Sequence, residues 1–169
     1  MLDLSKIEAG RFDVEMQDVN LRDVVQECLD SVSPRADANG IMLENNIPES
    51  DPVLVKTDPQ VLRQALLNLV SNAVKFNQPG GRVTIGYEDI GNDFLRVNIN
   101  DTGIGIPPDR QESVFTPFDR LGRESGNIEG AGVGLSITQR IVEALDGKIG
   151  FQSNEDAGTT FWIELPNGA

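Results

Sequence analysis

Residues 58–77 read DPQVLRQALLNLVSNAVKFN, and this stretch decides the fold of the chain. It begins with a helix-start signal, because aspartate is a good N-cap and proline suits the first helical position. At about 100° per residue, its apolar side chains fall on one face. That face contains Leu62, Ala65, Leu66, Leu69, Val70 and Ala73. The pattern predicts an amphipathic helix packed on a hydrophobic core.

A polar stripe runs along the opposite side of the same predicted helix, formed by Gln64, Asn68, Asn72 and Lys75. Asparagine is a poor helix former, so a solvated face would favour Glu, Lys and Gln instead. Amide oxygens can ligate Mg2+, and an ammonium group neutralises phosphate. Taken alone the stripe fits a solvated face better; with the motifs described below it indicates a site for a metal-bound polyphosphate.

The composition bounds the class of protein. The chain has 169 residues, enough for one domain with its own core, and 38% are hydrophobic. Its formal net charge of −13 argues against a nucleic-acid partner, which needs a basic face. The absence of histidine excludes His-based triads and His-ligated metals. The single cysteine, Cys28, excludes an internal disulfide and is expected to be a core thiol.

Apolar runs in this sequence stay well below the roughly 18 residues that a membrane helix needs, and no signal-peptide pattern is present. We therefore expect no membrane contact by this chain. Residues 1–10 have the pattern of a short helix that looks like the tail of a longer one. This pattern predicts that the chain is a fragment of a larger protein.

Periodicity predicts alternating strands and helices along the chain. The predicted strands are 11–19, 41–47, 53–57, 82–89, 94–100, 148–153 and 159–165, and the predicted helices are 20–38, 58–77 and 130–145. Together they predict an α+β fold built as a two-layer α/β sandwich, a mixed sheet with its helices on one face.

Two glycine-rich stretches carry candidate chemistry. Asp101-Thr-Gly103-Ile-Gly105 follows a predicted strand, and its aspartate could accept from an exocyclic amine such as that of adenine. A glycine-rich turn with an aspartate cap is the simpler alternative. GAGVGL at 130–135 opens a helix with alternate glycines, which expose N–H groups to phosphate. Neither stretch fits the dinucleotide-binding or P-loop pattern.

Residues 115–129 form a polar segment that contains Phe115, Phe118, Arg120 and Arg123. A lid that packs by its aromatic side chains and brings an arginine to a terminal phosphate fits this composition, and an ordinary surface loop fits it equally. Gly158-Thr159 lies at a predicted hairpin tip. A threonine hydroxyl there could reach a base, although a turn threonine without a ligand is commoner.

These motifs, in this order, resemble the catalytic and ATP-binding domain of sensor histidine kinases, in the GHKL superfamily. The N box corresponds to 68–76, the G1 box to 101–105, the F box to 115–118, the G2 box to 130–135, and the last glycine–threonine motif to 158–159. The resemblance covers roughly residues 10–165. It implies a Bergerat-type fold: a mixed five-stranded sheet, three main helices on one face and an ATP lid.

The resemblance also implies roles for single residues. Asn72 would ligate Mg2+, Asp101 would read the adenine amine, and Asn68, Lys75 and Arg120 would be catalytic, with Lys75 and Arg120 on phosphate. The implied ATP site comprises Asn68, Asn72, Lys75, Phe76, Asp101, Gly103, Ile104, Gly105, Phe118, Arg120, Gly130, Ala131, Gly132, Val133, Gly134, Leu135 and Thr159.

The implied function is transfer of the ATP γ-phosphoryl group to a histidine, for two-component or phosphorelay signalling. Because the chain has no histidine, the acceptor must lie on a dimerisation hairpin outside it. Residues 1–10 would end that hairpin, and residues 11–169 would be the catalytic domain. The implied partners are the hairpin and, through the parent, a response regulator. We expect a cytoplasmic, monomeric fragment of a homodimeric parent, itself soluble or membrane-anchored.

Two alternatives stay open: a nucleotide-binding regulatory module without phosphotransfer, and a GHKL ATPase. Position 68 separates the hydrolase branch from the kinases, because hydrolases place a water-activating glutamate four residues before the metal-binding asparagine. Here that residue is Asn68, and a carboxamide is not a general base near pH 7. The resemblance therefore favours slow ATP hydrolysis and a kinase.

Overall fold

The structure is a computed structural model, which describes residues 14–50, 52–103, 105, 135–153 and 158–168. In this part of the chain the order of elements is β1 (Gln17–Asn20), α1 (Leu21–Ala38), β2 (Met42–Asn45), β3 (Leu54–Thr57), α2 (Pro59–Lys75), β4 (Arg82–Gly91), β5 (Phe94–Asp101), α3 (Leu135–Ala144), β6 (Lys148–Ser153) and β7 (Thr159–Pro166). The predicted α+β sandwich is confirmed.

The main sheet has five strands in the order β2-β4-β5-β7-β6. The pair β2–β4 is parallel and the other pairs are antiparallel, so the sheet is mixed, as predicted. The register of β5 and β7 places Asp101 opposite Thr159. Two sequence motifs that lie far apart along the chain therefore meet at one end of the sheet.

A second sheet, which the sequence did not predict, pairs β1 with β3 in antiparallel fashion. The predicted strand over 11–19 is too long in its described part, because only residues 17–20 have partners on β3. Val14 and Met16 lie before the strand and pack, partly buried, against the core. Their alternation with polar residues reflects this packing rather than strand pairing.

The hydrophobic core lies between the helices and one face of the main sheet. Alternate residues of the central strands are buried on that face: Val83, Ile85, Leu95, Val97, Ile99, Phe161, Ile163 and Leu165. The intervening residues point to the other face, where Arg96 lies 4.5 Å from the ring centroid of Trp162. Cys28 is buried in α1 as predicted, and burial raises the pKa of its thiol to about 12.

Helix α2 forms as its sequence predicts. The Asp58 side chain caps it by accepting from the backbone N–H groups of Gln60 and Val61, at 3.0 and 3.4 Å. All six residues of the predicted apolar face are buried. The helix ends at Lys75, with Phe76 as its C-cap, so the two predicted last residues lie just outside it.

The described part of helix α3 begins at Leu135, and Gly130 to Gly134 lie outside the described residues. Its end agrees with the predicted glycine stop, since Asp146 has a positive φ of 62° and the Gly147 N–H donates to the Val142 carbonyl oxygen at 3.0 Å. Among the described helices, none is long and apolar enough to cross a membrane.

Candidate functional site

The candidate site lies where the C-terminal end of α2 meets the ends of β5 and β7. Gly103 joins these elements, because a β-carbon at this position would lie 2.5 Å from the Phe76 carbonyl oxygen and 3.2 Å from the Asn77 Cα atom. Only glycine allows this contact between two backbones. The predicted G1 motif is therefore packed directly on the end of the predicted N-box helix.

Asp101 ends strand β5 and its carboxylate is held by the backbone. Its Oδ1 atom accepts from the N–H of Gly103 at 2.9 Å and from the N–H of Thr159 at 3.3 Å. Burial raises the pKa of Asp101, against the opposing effect of these two hydrogen bonds. Within the described chain no group donates to Oδ2, so the carboxylate is fixed by one oxygen and keeps an acceptor on the other.

The hairpin of β6 and β7 completes this end of the site. Gly158 has a φ of +85°, and a β-carbon there would lie 2.2 Å from the Asp101 carbonyl oxygen. Thr159 is 6% exposed, and its hydroxyl lies 2.8 Å from the hydroxyl of Ser153 across the hairpin. The structure thus brings three predicted residues, Asp101, Gly103 and Thr159, into one hydrogen-bonded group. Ser153 was not predicted, because only strand register reveals its position.

Asn68 lies half-buried near the middle of α2, facing α3. Its Nδ2 group donates to the Thr138 hydroxyl at 3.0 Å, and its Oδ1 atom accepts from Gln64 Nε2 at 3.1 Å. Thr138 is fully buried, and the sequence analysis missed it. A polar residue on the apolar face of the helix that follows the glycine motif was the available signal. The polar stripe of α2 is therefore joined to α3 through Asn68.

The rest of the polar stripe suits a magnesium-bound phosphate. Asn72 is half-buried one turn after Asn68, and none of the described residues hydrogen-bonds its carboxamide. Lys75 is exposed, with its Nζ atom 5.8 Å from the Phe76 ring centroid. The described residues include no cluster of three acidic or cysteine ligands. A neutral amide oxygen and an exposed ammonium group on the same helix could hold Mg2+ that is already bound to phosphates, since Mg2+ keeps waters and substrate oxygens as ligands.

Two of the remaining predicted site residues, Gly105 and Leu135, belong to the described part of the chain. Gly105 has a positive φ of 75°, which suits a glycine in a tight loop. Leu135 is 1% exposed, so its side chain belongs to the hydrophobic core. The others lie outside the described residues: Ile104, Phe118, Arg120, Gly130, Ala131, Gly132, Val133 and Gly134.

Comparison with known proteins agrees with the geometry. The profile of the family described as histidine kinase-, DNA gyrase B-, and HSP90-like ATPase matches residues 57–169. The sensory/regulatory protein RpfC of Xanthomonas campestris is 38% identical over 98% of this chain, and the sensor protein GacS of Pseudomonas syringae is 37% identical over 98%. The chain spans only 24% of RpfC and 19% of GacS.

Solved structures give the same family. The nucleotide-free catalytic domain of the histidine kinase ThkA matches with a TM-score of 0.76 and 27% identity, over 92% of this chain and 97% of that domain. The full-length kinase ShkA in complex with AMPPNP matches with a TM-score of 0.82 and 28% identity, over 98% of this chain and 34% of ShkA. Its fold is that of these two histidine kinase structures. This chain therefore belongs to the family of histidine kinase-, DNA gyrase B-, and HSP90-like ATPases.

Proposed function

We propose that this domain binds ATP with Mg2+ and serves a protein-histidine kinase. The Asp101 carboxylate carries this proposal, because its Oδ1 atom is held by two backbone N–H groups while Oδ2 has no donor within the described chain. An acceptor held in this way suits the exocyclic amine of adenine. Guanine presents a carbonyl oxygen at the corresponding position, so the same carboxylate would repel it.

The stripe on α2 would bind the phosphate end of the nucleotide. Asn72 would supply an amide oxygen to Mg2+, which when bound would neutralise charge on the β- and γ-phosphates. Lys75 would neutralise further phosphate charge, and Phe76 would line the wall of the pocket. From the resemblance we assign the remaining phosphate contacts to Gly130, Gly132, Gly134 and Arg120.

The acceptor of the phosphoryl group would be a histidine on another part of the parent protein, because this chain contains none. An imidazole nitrogen would attack the γ-phosphorus, the bond to the bridging oxygen would break, and ADP would leave. We infer that residues 1–10 end the hairpin that carries this histidine and residues 11–169 form the catalytic domain. A response regulator would then receive the phosphoryl group, in the cytoplasm, where ATP is available.

The experiment that tests this proposal mixes the domain with γ-labelled ATP, Mg2+ and a separately made histidine-bearing hairpin of the parent. Label that appears on the hairpin, and only when the domain is present, is the expected result. Rapid phosphate release without labelled hairpin would instead favour an ATPase. Nucleotide binding with neither reaction would favour a regulatory module.

Replacing Asp101 with asparagine should separate binding from folding. Asparagine keeps an Oδ1 acceptor for Gly103 and Thr159 but places a donor where the carboxylate keeps an acceptor. A hydrogen bond to a charged group contributes about 1.5–3 kcal/mol, so the Kd for ADP should rise by about 10- to 100-fold. Isothermal titration calorimetry measures this change, and an unchanged Kd would contradict the assigned role of Asp101.

The same variant should be at least as stable as the wild type, although it binds ADP more weakly. The folded-state pKa of Asp101 lies above its ordinary value of 3.8, so the folded domain binds the proton more tightly than the unfolded chain. The free energy of unfolding therefore falls as pH rises from 3.8 through the folded-state pKa. D101N removes this fall, and its Tm at neutral pH should equal or exceed that of the wild type.

Asn68 offers a test of the kinase against the hydrolase alternative. A glutamate at this position could activate water, which the carboxamide does not do. Asn68→Glu should therefore raise phosphate release in the absence of the hairpin, measured by a coupled phosphate assay. Asn68→Gln, which keeps the amide, is the matched control. Equal release by both variants would contradict the assignment of position 68.

A further inference from the structure

Asn77 and Thr102 form a hydrogen-bonded cluster, which we name the helix-end clamp, at the edge of the candidate site. Asn77 is the first residue after the C-cap of α2, and Thr102 lies between Asp101 and Gly103. Their side chains meet directly, because the Thr102 hydroxyl donates to Asn77 Oδ1 at 3.1 Å. The clamp therefore connects the end of the phosphate-binding helix to the turn that carries the adenine-binding carboxylate.

Both side chains are also bonded to the backbone at the start of β4. The Asn77 Nδ2 group donates to the Arg82 carbonyl oxygen at 3.0 Å, and its Oδ1 atom also accepts from the Gln78 N–H at 2.8 Å. The Thr102 hydroxyl accepts from the Arg82 N–H at 2.9 Å. Every polar atom of the two side chains thus has a partner, which favours the observed orientation of both.

Gly81 makes room for this arrangement. A β-carbon at Gly81 would lie 2.1 Å from the Asn77 Oδ1 atom and 2.8 Å from its Cγ atom. Any other residue at position 81 would displace the Asn77 side chain. The turn after α2 is therefore built around the asparagine side chain.

We propose that Asn77 and Thr102 are positioning residues that set adenine specificity, by fixing Asp101 and Gly103 against the end of α2. This inference rests on the proposed nucleotide site. Neither residue needs to touch the nucleotide. The clamp instead fixes the distance between the carboxylate that selects the base and the helix that binds the phosphates, and a nucleotide must satisfy both at once.

The first test replaces Thr102 with valine, which keeps the shape of the side chain but loses the hydroxyl. Valine loses both hydrogen bonds of the hydroxyl, to Asn77 and from the Arg82 N–H. Loss of the link to Asn77 should raise the Kd for ADP by about 3- to 10-fold, because a net hydrogen bond contributes about 0.5–1.5 kcal/mol. The Kd for GDP should change by less than about twofold, since GDP depends on the phosphate contacts alone. Thr102→Ser keeps the hydroxyl and should restore the wild-type preference for ADP, expressed as the ratio of the association constants for ADP and GDP (the ADP:GDP ratio).

Thr160→Val is the matched control. Thr160 donates to Asn100 across β5 and β7, one register pair away from Asp101, and has no hydrogen bond to α2 among the described residues. Its loss should leave both Kd values within about twofold of the wild type, although it also removes one hydrogen bond. A fall in the ADP:GDP ratio in Thr102→Val but not in Thr160→Val supports a positioning role. A purely structural role would lower affinity for both nucleotides together.

Asn77→Asp provides a second variant that retains Oδ1 and its two bonds but loses the donor to Arg82. We expect it to lower the ADP:GDP ratio less than Asn77→Ala does. The inference is overturned if Thr102→Val and both Asn77 variants keep the wild-type ratio. A wild-type domain that bound ADP no better than GDP would overturn the adenine site itself. Calorimetry on the folded domain distinguishes these failures.

Discussion

At each end of α2 one short polar side chain forms three hydrogen bonds, but the two side chains fasten the helix to different parts of the molecule. At the first end, Asp58 accepts from the N–H groups of Gln60 and Val61, and its second oxygen accepts from the N–H of Glu15 at 2.9 Å. At the last end, Asn77 is bonded to Gln78, Arg82 and Thr102. Each side chain has three partners, and part of each set lies in another segment: Glu15 for Asp58, and Arg82 and Thr102 for Asn77.

The two ends of α2 differ in the segments to which Asp58 and Asn77 fasten the helix. Asp58 fastens the helix to the chain just before β1, far from the candidate site, so its contribution is to the stability of the fold. Asn77 fastens it to the turn after β5, where Gly103 touches the Phe76 carbonyl oxygen. We therefore expect similar hydrogen bonds to act on the stability of the fold at the first end of α2 and on the candidate site at the last end.

The largest effect that this comparison predicts is at Gly103. Gly103→Ala would place a methyl group 2.5 Å from the Phe76 carbonyl oxygen, so the turn must move away from the helix. Overpacking of this kind costs about 1–3 kcal/mol of folding free energy. Because the turn carries Asp101, the Kd for ADP should also rise, by about tenfold or more. Calorimetry gives the Kd and urea denaturation gives the stability.

Gly86→Ala is the control for Gly103→Ala. Gly86 lies in β4, and a β-carbon there would have no other atom within 4 Å. Its replacement should leave the Kd for ADP unchanged and alter stability little. If both alanine variants bound ADP like the wild type, contact between the G1 turn and the end of α2 would have no bearing on nucleotide binding.

The next effect is at the first end of α2. Asp58→Ala removes an N-cap, which costs about 0.5–2 kcal/mol, and also the bond to Glu15. We expect a loss of about 1–2 kcal/mol in the free energy of unfolding with a Kd for ADP within twofold of the wild type. Asp58→Asn retains a good N-cap and should recover most of the loss. A large change in Kd would contradict the separation of the two ends.

Much of the fold was predictable because its signals are local. The three helices and the central strands were recognised from periodicity, and Asp58-Pro59 marked the start of α2 as the structure has it. The short β1 was misjudged in length, since only pairing with β3 defines it. Pairing across a sheet depends on residues far apart in sequence, which a local pattern does not contain.

In the candidate site, too, residues in a local motif were predictable, and residues defined by contacts between distant parts of the chain were not. Asp101 and Gly103 were predicted because they stand in a glycine motif, and the structure places them together with Thr159. Thr138 was missed, because its hydrogen bond to Asn68 joins residues that are 70 positions apart. Asn77 was missed because its residue type alone does not reveal three polar partners. A motif identifies the residues of a site more readily than those that orient them.

The smallest effect concerns Thr57, the residue before the Asp58 cap. Its side chain is fully buried, and its hydroxyl has no hydrogen-bond partner among the described residues. An unpaired buried polar group costs about 1–3 kcal/mol, so Thr57→Val should leave the free energy of unfolding equal or raise it by about 1 kcal/mol. Thr57→Ser keeps the hydroxyl, loses a methyl group and should be destabilising. Urea denaturation followed by the fluorescence of Trp162, the only tryptophan, measures both.

The comparison of the two helix ends would be sharpened if Thr57→Val raised and Thr57→Ser lowered the free energy of unfolding, with an unchanged Kd for ADP in each. These results would show that polar groups at the first end of α2 affect only the stability of the fold, including the Thr57 hydroxyl, which lowers it. A loss of stability in Thr57→Val would mean that the hydroxyl has a partner. A changed Kd would mean that strain at the first end reaches Asn68, three turns along the helix, and the two ends would then be coupled.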